Sequence, residues 1–204
     1  MTLKKFAVFA SGYGSNLQAI IDAVRKKRIR ADLALVVSDR REAYALRRAE
    51  KAKIKTAYVN PEGFSDRESF DNEVLKYLKR EHIDFIVLAG FMRILSRVLI
   101  DAYPHKILNI HPAMLPAFKG AHAIKDAFDY GVKITGVTVH LIDLKVDHGP
   151  IIAQEMVKID KKDTLATLEK RIHTVEHKIY PKAIDLFATG RIRLSGRKAR
   201  TLTK

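Results

Sequence analysis

Two polar side chains end an apolar run near the middle of the chain. Residues 107–112 read Ile-Leu-Asn-Ile-His-Pro, so Asn109 and His111 are two positions apart. Residues i and i+2 of a β-strand point to the same face, and a strand here would present both side chains together at its carboxyl end. Open α/β sheets bind their ligands at such ends. An amide and an imidazole there could stabilise a developing oxyanion or deliver a proton, although either residue alone is more often structural.

A carboxylate in a later loop is the third candidate. Asp147 lies in Val146-Asp147-His148-Gly149-Pro150, where it is equally typical of an ordinary turn residue. If the fold brings it near His111, it would favour the protonated imidazole that an acid catalyst requires. A catalytic trio of Asn109, His111 and Asp147 is therefore a prediction about tertiary structure.

The segment Ser11-Gly12-Tyr13-Gly14-Ser15-Asn16 follows a short apolar run and precedes an amphipathic stretch. Glycines allow a tight turn there, and the free N–H groups at the start of a helix can bind a phosphate with help from Ser15 and Asn16. The loop is not a dinucleotide fingerprint, since Leu17 replaces its third glycine, and no Lys-Ser or Lys-Thr pair follows. The alternative is a plain strand-to-helix turn capped by Ser15.

The segment His173-Thr174-Val175-Glu176-His177 matches the H-x-x-E-H pattern of inverted zinc peptidases, with both histidines on one helical face. A catalytic zinc site also needs a third ligand and a cleft, which no other segment suggests. We therefore favour a site without metal, in which His173 and Glu176 face a cleft and His177 is structural.

The elements that must position these residues alternate between short β-branched runs and longer amphipathic stretches, which predicts an α/β fold. We expect one Rossmann-like domain with an open, mostly parallel sheet and helices on both faces. Predicted strands span 6–10, 33–38, 56–59, 85–89 and 107–110, and predicted helices span 15–27, 41–53, 66–81 and 96–102. Ser65 and Glu68 have the spacing of a capping box for the third helix.

The pattern changes after about residue 120. Residues 134–142 and 151–157 resemble two longer strands that could pair antiparallel at one edge of the sheet. A long helix follows over 164–188, and Pro181 is expected to bend or break it. We expect the main domain to span residues 1–190 and a loose basic tail to span 191–204.

Composition narrows the possible chemistry. The chain has 204 residues, 47% of them hydrophobic, which fits one domain with its own core. With no cysteine, disulfides, thiolate metal sites and cysteine nucleophiles are excluded. The first apolar run ends at Ser11, too soon for a signal peptide, and no stretch approaches the roughly 20 apolar residues of a membrane span. We expect a soluble, cytoplasmic protein, either a monomer or a homodimer.

The formal charge of +15 raises the possibility of nucleic-acid binding. Six cations and no acid lie within 191–204, and the other charges are spread over helix-like segments. No aromatic-basic recognition motif accompanies them, so a solvated basic surface that attracts anionic substrates is favoured over an RNA-binding protein.

Several motifs occur together in a familiar order from about Phe6 to Leu186. They are Ser11-Gly12-x-Gly14-Ser15-Asn16-Leu17, Leu88-Ala89-Gly90-Phe91-Met92-Arg93-Ile94-Leu95, Asn109-Ile110-His111-Pro112 and Asp147-x-Gly149-Pro150. In this the chain resembles the folate-dependent phosphoribosylglycinamide formyltransferases. The resemblance implies transfer of the formyl group of 10-formyltetrahydrofolate to the amine of N1-(5-phospho-D-ribosyl)glycinamide, in purine biosynthesis and without a metal.

The resemblance also assigns roles to residues. The substrate would be bound by Gly14, Ser15, Asn16, His173 and Glu176, with the first three on its phosphate and Glu176 near its amine. The folate would contact Arg67, Met92, Arg93, Ile94, Leu95, Asn109 and the loop 141–147, with Arg67 meeting its acidic tail. The amine would attack the formyl carbon directly, and Asn109 and protonated His111 would stabilise the tetrahedral intermediate while Asp147 acts on His111.

The chain departs from the common family pattern at a few positions, and related activities are possible. The departures are Tyr13, Met114, Lys119, His148 and His173. Formyl enzymes that act on initiator methionyl-tRNA or that hydrolyse formyl-folate share this core but normally carry a further domain, for which we expect no room here. A nucleotide-dependent oxidoreductase is disfavoured by Leu17.

Overall fold

The computed structural model describes residues 3–202, in which strands and helices alternate as predicted. The elements in chain order are β1 (Lys5–Phe9), α1 (Ser15–Arg25), β2 (Asp32–Ser38), α2 (Tyr44–Lys51), β3 (Lys55–Tyr58), α3 (Arg67–Arg80), β4 (Phe85–Leu88), α4 (Arg97–Ala102), β5 (Ile107–His111), α5 (Ala123–Tyr130), β6 (Ile134–Leu141), β7 (Ile151–Lys158), α6 (Leu165–Ala188), β8 (Ile192–Ser195) and β9 (Lys198–Thr201). Every predicted strand and helix is present, with ends that differ by up to three residues.

The strands form one sheet in the order β3-β2-β1-β4-β5-β6-β7-β9-β8. The first five strands in this order are parallel, whereas β6 is antiparallel to both β5 and β7, which confirms the mostly parallel sheet with an antiparallel section. The chain reverses its direction of travel across the sheet between β1 and β4, which is the switch point where open α/β sheets have their crevice.

Helices cover both faces of the sheet, as predicted. On one face, α1, α2 and α6 pack on a core that includes Leu108 and Ile110 of β5. On the other face, α3 and α4 pack on a second core that includes Ile107. Because side chains alternate along a strand, Asn109 and His111 share the face of Ile107. No helix within 3–202 is long and apolar enough to cross a membrane.

The predicted capping box at Ser65 and Glu68 is wrong by one residue. The structure has Asp66 as the N-cap of α3, where its side chain accepts from the Ser69 N–H at 2.7 Å and the Ser69 hydroxyl contacts the Asp66 N–H in return. A carboxylate accepts this bond as well as a hydroxyl does, and Asp66 has the extended backbone that an N-cap needs.

Two further differences concern helices. No helix was predicted between residues 120 and 134, yet α5 lies there and ends at Gly131 in a left-handed conformation. Pro181 does not break α6, which runs for 24 residues through it. The proline removes only one N–H of the helix, and its ring is buried in the packed face, where the loss is offset by burial.

The loose tail expected after residue 190 is also wrong over residues 192–201. Strands β8 and β9 form an antiparallel hairpin that turns at Gly196, and β9 joins β7 through the pair Ile151 and Lys198. The alternation of Ile192 and Leu194 with arginines is the strand signal that the high charge concealed. Residues 203 and 204 of the predicted tail lie outside the described residues.

Tyr180 connects α6 to the centre of the sheet. Its side chain is fully buried, and its hydroxyl lies 2.8 Å from the Leu88 carbonyl oxygen and 3.1 Å from that of Leu108. These oxygens belong to β4 and β5, so one hydroxyl group fixes the long helix beneath two strands.

We expect Tyr180→Phe to lower the free energy of unfolding by about 1 to 2 kcal/mol, because two buried carbonyl oxygens lose a donor. Urea denaturation measures the change. Tyr130→Phe is the matched control, since Tyr130 is largely exposed; its effect should stay within about 0.5 kcal/mol. Equal effects of the two substitutions would contradict the connecting role of Tyr180.

Candidate functional site

His111 and Asp147 lie together, although they are 36 positions apart in the sequence. His111 Nδ1 is 3.4 Å from Asp147 Oδ2, and the two residues are only 4% and 9% exposed. The Gly120 N–H donates to the same carboxylate oxygen at 2.9 Å. Strand β5 supplies the imidazole and the loop before β7 supplies the carboxylate. The structure therefore has the two groups close together, as predicted.

Both nitrogens of the His111 ring face acceptors. Nε2 is 2.7 Å from the Phe118 carbonyl oxygen, which can only accept, so Nε2 carries a proton. Nδ1 faces the Asp147 carboxylate. Each ring nitrogen therefore has an acceptor within reach, one a carbonyl oxygen and the other a carboxylate.

Asn109 contacts a histidine that the sequence analysis missed. Asn109 Nδ2 is 3.2 Å from His140 Nε2, and His140 Nδ1 is 2.9 Å from the Leu141 carbonyl oxygen. Since that oxygen accepts the Nδ1 proton, the neutral ring offers Nε2 as an acceptor to the Asn109 amide. His140 Nε2 also lies 3.6 Å from Asp147 Oδ1, which links Asn109 to the carboxylate.

The same pattern that identified Asn109 and His111 is present in β6. Thr138 and His140 are polar residues two positions apart in an apolar strand, and the antiparallel register places His140 opposite Asn109 and Thr138 opposite His111. Paired residues of neighbouring strands share a face. Four polar side chains therefore meet on one face, a signal that could have identified His140.

Thr138 holds the chain that leaves β5. Its hydroxyl donates to the Ala113 carbonyl oxygen at 2.7 Å and accepts from the Leu115 N–H at 3.1 Å. Gln154 Nε2 on β7 donates to the same hydroxyl at 2.9 Å. These hydrogen bonds anchor the backbone that leads from β5 to Phe118 and Gly120. Phe118 contacts His111, and Gly120 contacts Asp147.

The environment of Asp147 favours its charged form. Burial alone would raise the pKa of this carboxyl, but the nearby His140 ring, the hydrogen bond from the Gly120 N–H and the charge of His111 lower it below its ordinary value. Asp147 also has a left-handed backbone, with φ of 48°, which costs free energy for a residue with a side chain.

The glycine loop has the conformation of an uncapped helix start. Gly14 precedes α1 with φ of 73°, and a Cβ atom there would lie 2.8 Å from that of Ala45. No side chain caps the helix, so the alternative role of Ser15 as a cap does not occur. The positive end of α1 is therefore left for an anion.

Tyr13 and Arg48 hold the outside of this loop. The exposed Tyr13 ring stacks on that of Tyr44, with centroids 5.2 Å apart, and the Arg48 guanidinium lies over both rings. Arg48 Nε donates to the Tyr13 carbonyl oxygen at 2.9 Å. The departure at Tyr13 thus adds packing to the loop without changing its glycine positions.

The glycine loop meets α6 at a buried carboxylate. Glu176 is 3% exposed and its Oε2 lies 2.9 Å from Asn16 Nδ2 and 2.8 Å from His173 Nδ1. Asn16 Oδ1 is buried and has no partner within 3–202. The structure therefore brings together Asn16, His173 and Glu176, and an acceptor is left for a ligand that donates.

The hydrogen bond and charge of Glu176 raise the pKa of His173, whereas burial lowers the pKa of His177. His177 Nε2 is buried with no hydrogen-bond partner in the described chain, and it does not join the Glu176 cluster. Among residues 3–202, no group of three or more possible ligands could hold a metal ion.

The residues predicted to contact a folate lie after β4 and at the start of α3. Met92 and Ile94 are 63% and 56% exposed, whereas Leu95 is buried in the core. The Ser11 hydroxyl accepts from the Met92 N–H at 2.9 Å, which joins this segment to the glycine loop.

Two arginines lie beside this segment. The Arg93 guanidinium covers the Phe70 ring at 4.5 Å, and Arg67 is exposed. Both charges act on the buried Asp71, whose pKa is nonetheless raised by its burial. An exposed apolar strip flanked by cations suits a ligand with a ring system and an acidic end.

A cavity of about 840 Å³ lies between α1 and α6. Ser15, Thr174 and His177 are among its lining residues, and Asn109, His111 and Asp147 are not. It is a surface groove beside the glycine loop, and the convergent polar contacts identify the site better than the cavity does.

Comparison with known proteins gives one consistent result. The sequence profile of the formyl transferase family matches residues 4–184. A phosphoribosylglycinamide formyltransferase of Bacillus subtilis (strain 168) is 44% identical over 89% of this chain and 93% of that protein. The human trifunctional purine biosynthetic protein adenosine-3 is 43% identical, and the match covers 93% of this chain but 19% of that protein. The crystal structure of glycinamide ribonucleotide transformylase 1 from Symbiobacterium toebii superposes with a TM-score of 0.96 at 43% identity, covering 98% of this chain and 95% of that one.

The His173–Glu176 contact predicts a titration change. In Glu176→Gln the pKa of His173 should fall, since the hydrogen bond to a charged carboxylate raises it in the parent. The pKa of His173 is higher in the folded state than in the unfolded state. The contact therefore stabilises the fold at pH values below the unfolded-state pKa, and this stabilisation is lost as the pH rises through the folded-state pKa. An NMR titration of the His173 ring measures the shift.

Glu169→Gln is the graded control for this titration, because Glu169 acts on His173 only through its charge and more weakly. It should lower the pKa of His173 by less than Glu176→Gln does. An unchanged titration of His173 in Glu176→Gln would contradict the contact.

Proposed function

This chain belongs to the formyl transferase family, and from that membership we propose that it transfers the formyl group of 10-formyltetrahydrofolate to the amine of N1-(5-phospho-D-ribosyl)glycinamide. The observation that carries the proposal is the meeting of Asn109, His111 and Asp147 at the carboxyl end of β5. Two donors and a carboxylate in one buried cluster are what an acyl transfer between nitrogens needs.

The chemical step is a direct attack. The amine nitrogen forms a bond to the formyl carbon, the carbonyl oxygen becomes an oxyanion, and the bond from that carbon to the folate nitrogen then breaks. One proton leaves the amine and one reaches the departing nitrogen, so no covalent enzyme intermediate is required. The barrier depends on stabilising the oxyanion, which places Asn109 and His111 at the reacting centre.

The contacts of the two donors suit this role. One N–H of the Asn109 amide is engaged by His140, which orients the amide so that its second N–H is available to the oxyanion. The His111 Nε2–H group now donates to the Phe118 carbonyl oxygen, and in the reaction it would donate to the oxyanion instead. Asp147, on the Nδ1 side of the ring, stabilises the imidazolium and assists proton movement through water.

The glycine loop and α6 would hold the ribonucleotide. The positive end of α1 at Gly14, Ser15 and Asn16 suits the phosphate dianion, and its Gly14 backbone excludes a side chain. The Asn16 acceptor and the Glu176 carboxylate suit the donating groups of the same substrate, with the amine near Glu176. His173 lies at the outer side of this carboxylate and suits the phosphate.

The folate would lie along the segment after β4. The exposed Met92 and Ile94 offer apolar contact to its ring system. Arg67 and Arg93, whose charges both act on Asp71, suit the acidic tail. The buried Leu95 would support this segment through the core rather than by direct contact.

A turnover assay with both substrates tests the proposal by following the deformylated folate. Deformylation that requires the amine substrate supports transfer. Deformylation without the amine substrate indicates a hydrolase. No deformylation under either condition, together with salt-dependent RNA binding, indicates a nucleic-acid partner.

Removing a donor should depress turnover far more than substrate binding. We expect Asn109→Ala and His111→Ala each to lower kcat by about 10²- to 10³-fold while KM changes little, because the lost interaction is strongest in the transition state. Steady-state kinetics measures both constants. His105→Asn is the control, since His105 is exposed and precedes β5, at the opposite end of the strand from His111. Near-normal kcat in His111→Ala would remove His111 from the mechanism.

Asp147→Asn should lower kcat by about 10²-fold at neutral pH, since the neutral amide cannot stabilise the imidazolium. The lowered pKa of Asp147 keeps its carboxylate charged down to acidic pH. The parent carboxylate therefore partners the imidazolium across this range, whereas in the variant the imidazolium forms only at lower pH, so the pH dependence of kcat should shift toward lower pH. Rate profiles measured from pH 5 to 8 that show no such shift would contradict the role.

A further inference from the structure

The turn of the C-terminal hairpin contacts the loop that carries Asp147. Arg197 Nη2 donates to the His148 carbonyl oxygen at 2.6 Å. Arg197 Nη1 lies 3.0 Å from both ring nitrogens of His148. An in-plane position equally close to both nitrogens would clash with the carbon between them, so the guanidinium lies over the face of the ring. One arginine thus covers the residue that follows Asp147.

His148 is also held from inside the loop. Its Nδ1 lies 2.7 Å from Asp143 Oδ2, and Asp143 Oδ1 accepts from the Lys145 N–H at 2.9 Å. Burial alone would raise the pKa of Asp143, but the hydrogen bonds from His148 and Lys145 and the charges of His148 and Arg197 lower it. His148 is therefore held between an internal carboxylate and the external Arg197.

The rest of this loop leaves Asp147 little freedom. The Leu141 N–H donates to the Pro150 carbonyl oxygen at 2.9 Å, which closes the base of the loop. Gly149 packs so closely that a Cβ atom would lie 1.9 Å from the Leu141 carbonyl oxygen. The left-handed backbone of Asp147 lies between this base and His148, and such a conformation persists only where its neighbours hold it.

We infer that Arg197 is a positioning residue: it holds His148 and thereby keeps the Asp147 carboxylate in place against His111. The inference rests on the proposed function for the role of Asp147. The hairpin has a fixed position from which to act, since β9 pairs with β7 at Ile151 and Lys198. The basic C-terminal segment therefore serves the reaction through the position of Asp147.

Three variants of the hairpin test this inference. Arg197→Met removes the guanidinium but keeps an extended side chain, and kcat should fall about 5- to 10-fold with KM for both substrates within about twofold. Arg197→Lys should recover part of kcat, because an ammonium can donate to the His148 carbonyl but does not also cover the ring. Arg193→Met removes the same charge from β8, where the Arg193 side chain makes no hydrogen bond or ion pair within 3–202, and it should leave kcat unchanged.

A coupling measurement separates positioning from general stability. His148→Ala keeps the carbonyl that accepts from Arg197 but removes the ring that Arg197 covers. Because the two substitutions share this ring contact, His148→Ala combined with Arg197→Met should lower kcat by less than the product of the two single effects. The His111 ring resonance should move in Arg197→Met and not in Arg193→Met. Equal losses of kcat and thermal stability in Arg193→Met and Arg197→Met would overturn the inference, as would additive effects in the double variant.

Asp147→Asn distinguishes failure of this inference from failure of the proposed function. If Asp147→Asn loses turnover while Arg197→Met keeps the parental kcat, Arg197 does not position the carboxylate. If both variants keep the parental kcat, the role of Asp147 in the proposed function is itself wrong.

Discussion

The structure depends on keeping one buried carboxylate charged beside one buried imidazole. Removing both groups from water costs free energy that their attraction offsets only if their other polar atoms are also satisfied. Asp147 accepts from the Gly120 N–H and lies 3.6 Å from the His140 ring, while His111 donates to the Phe118 carbonyl. The segments around these groups adopt backbone conformations that satisfy the polar atoms of the buried pair. These include the left-handed conformations of Phe118 and Asp147.

The sheet satisfies this requirement by its topology. Parallel β1, β4 and β5 end at one edge, so the glycine loop, the Met92 segment and the Asn109–His111 pair are neighbours. Antiparallel β6 then returns from that edge with His140 opposite Asn109 and Thr138 opposite His111.

Local sequence patterns predicted most of the fold. Apolar periodicity identified β1 to β7 and every helix except α5, because each of those elements buries one face or stripe. The errors have local causes: Asp66 competes with Ser65 as a cap, Pro181 loses little in a packed helix, and arginines mask the alternation of β8. The candidate site was predicted through strand-end residues, and His140 was missed because the register of β6 was unknown.

By itself the sequence determined the α/β alternation, the glycine required at position 14, and the pairing of Asn109 with His111 on one strand face, since each follows from spacing along the chain. Only the tertiary structure decided that Asp147 reaches His111, that His140 orients Asn109, and that Arg197 covers His148. Those contacts join residues 31 to 49 positions apart. Strand register and loop packing set such distances, and neither is encoded in the local pattern of residues.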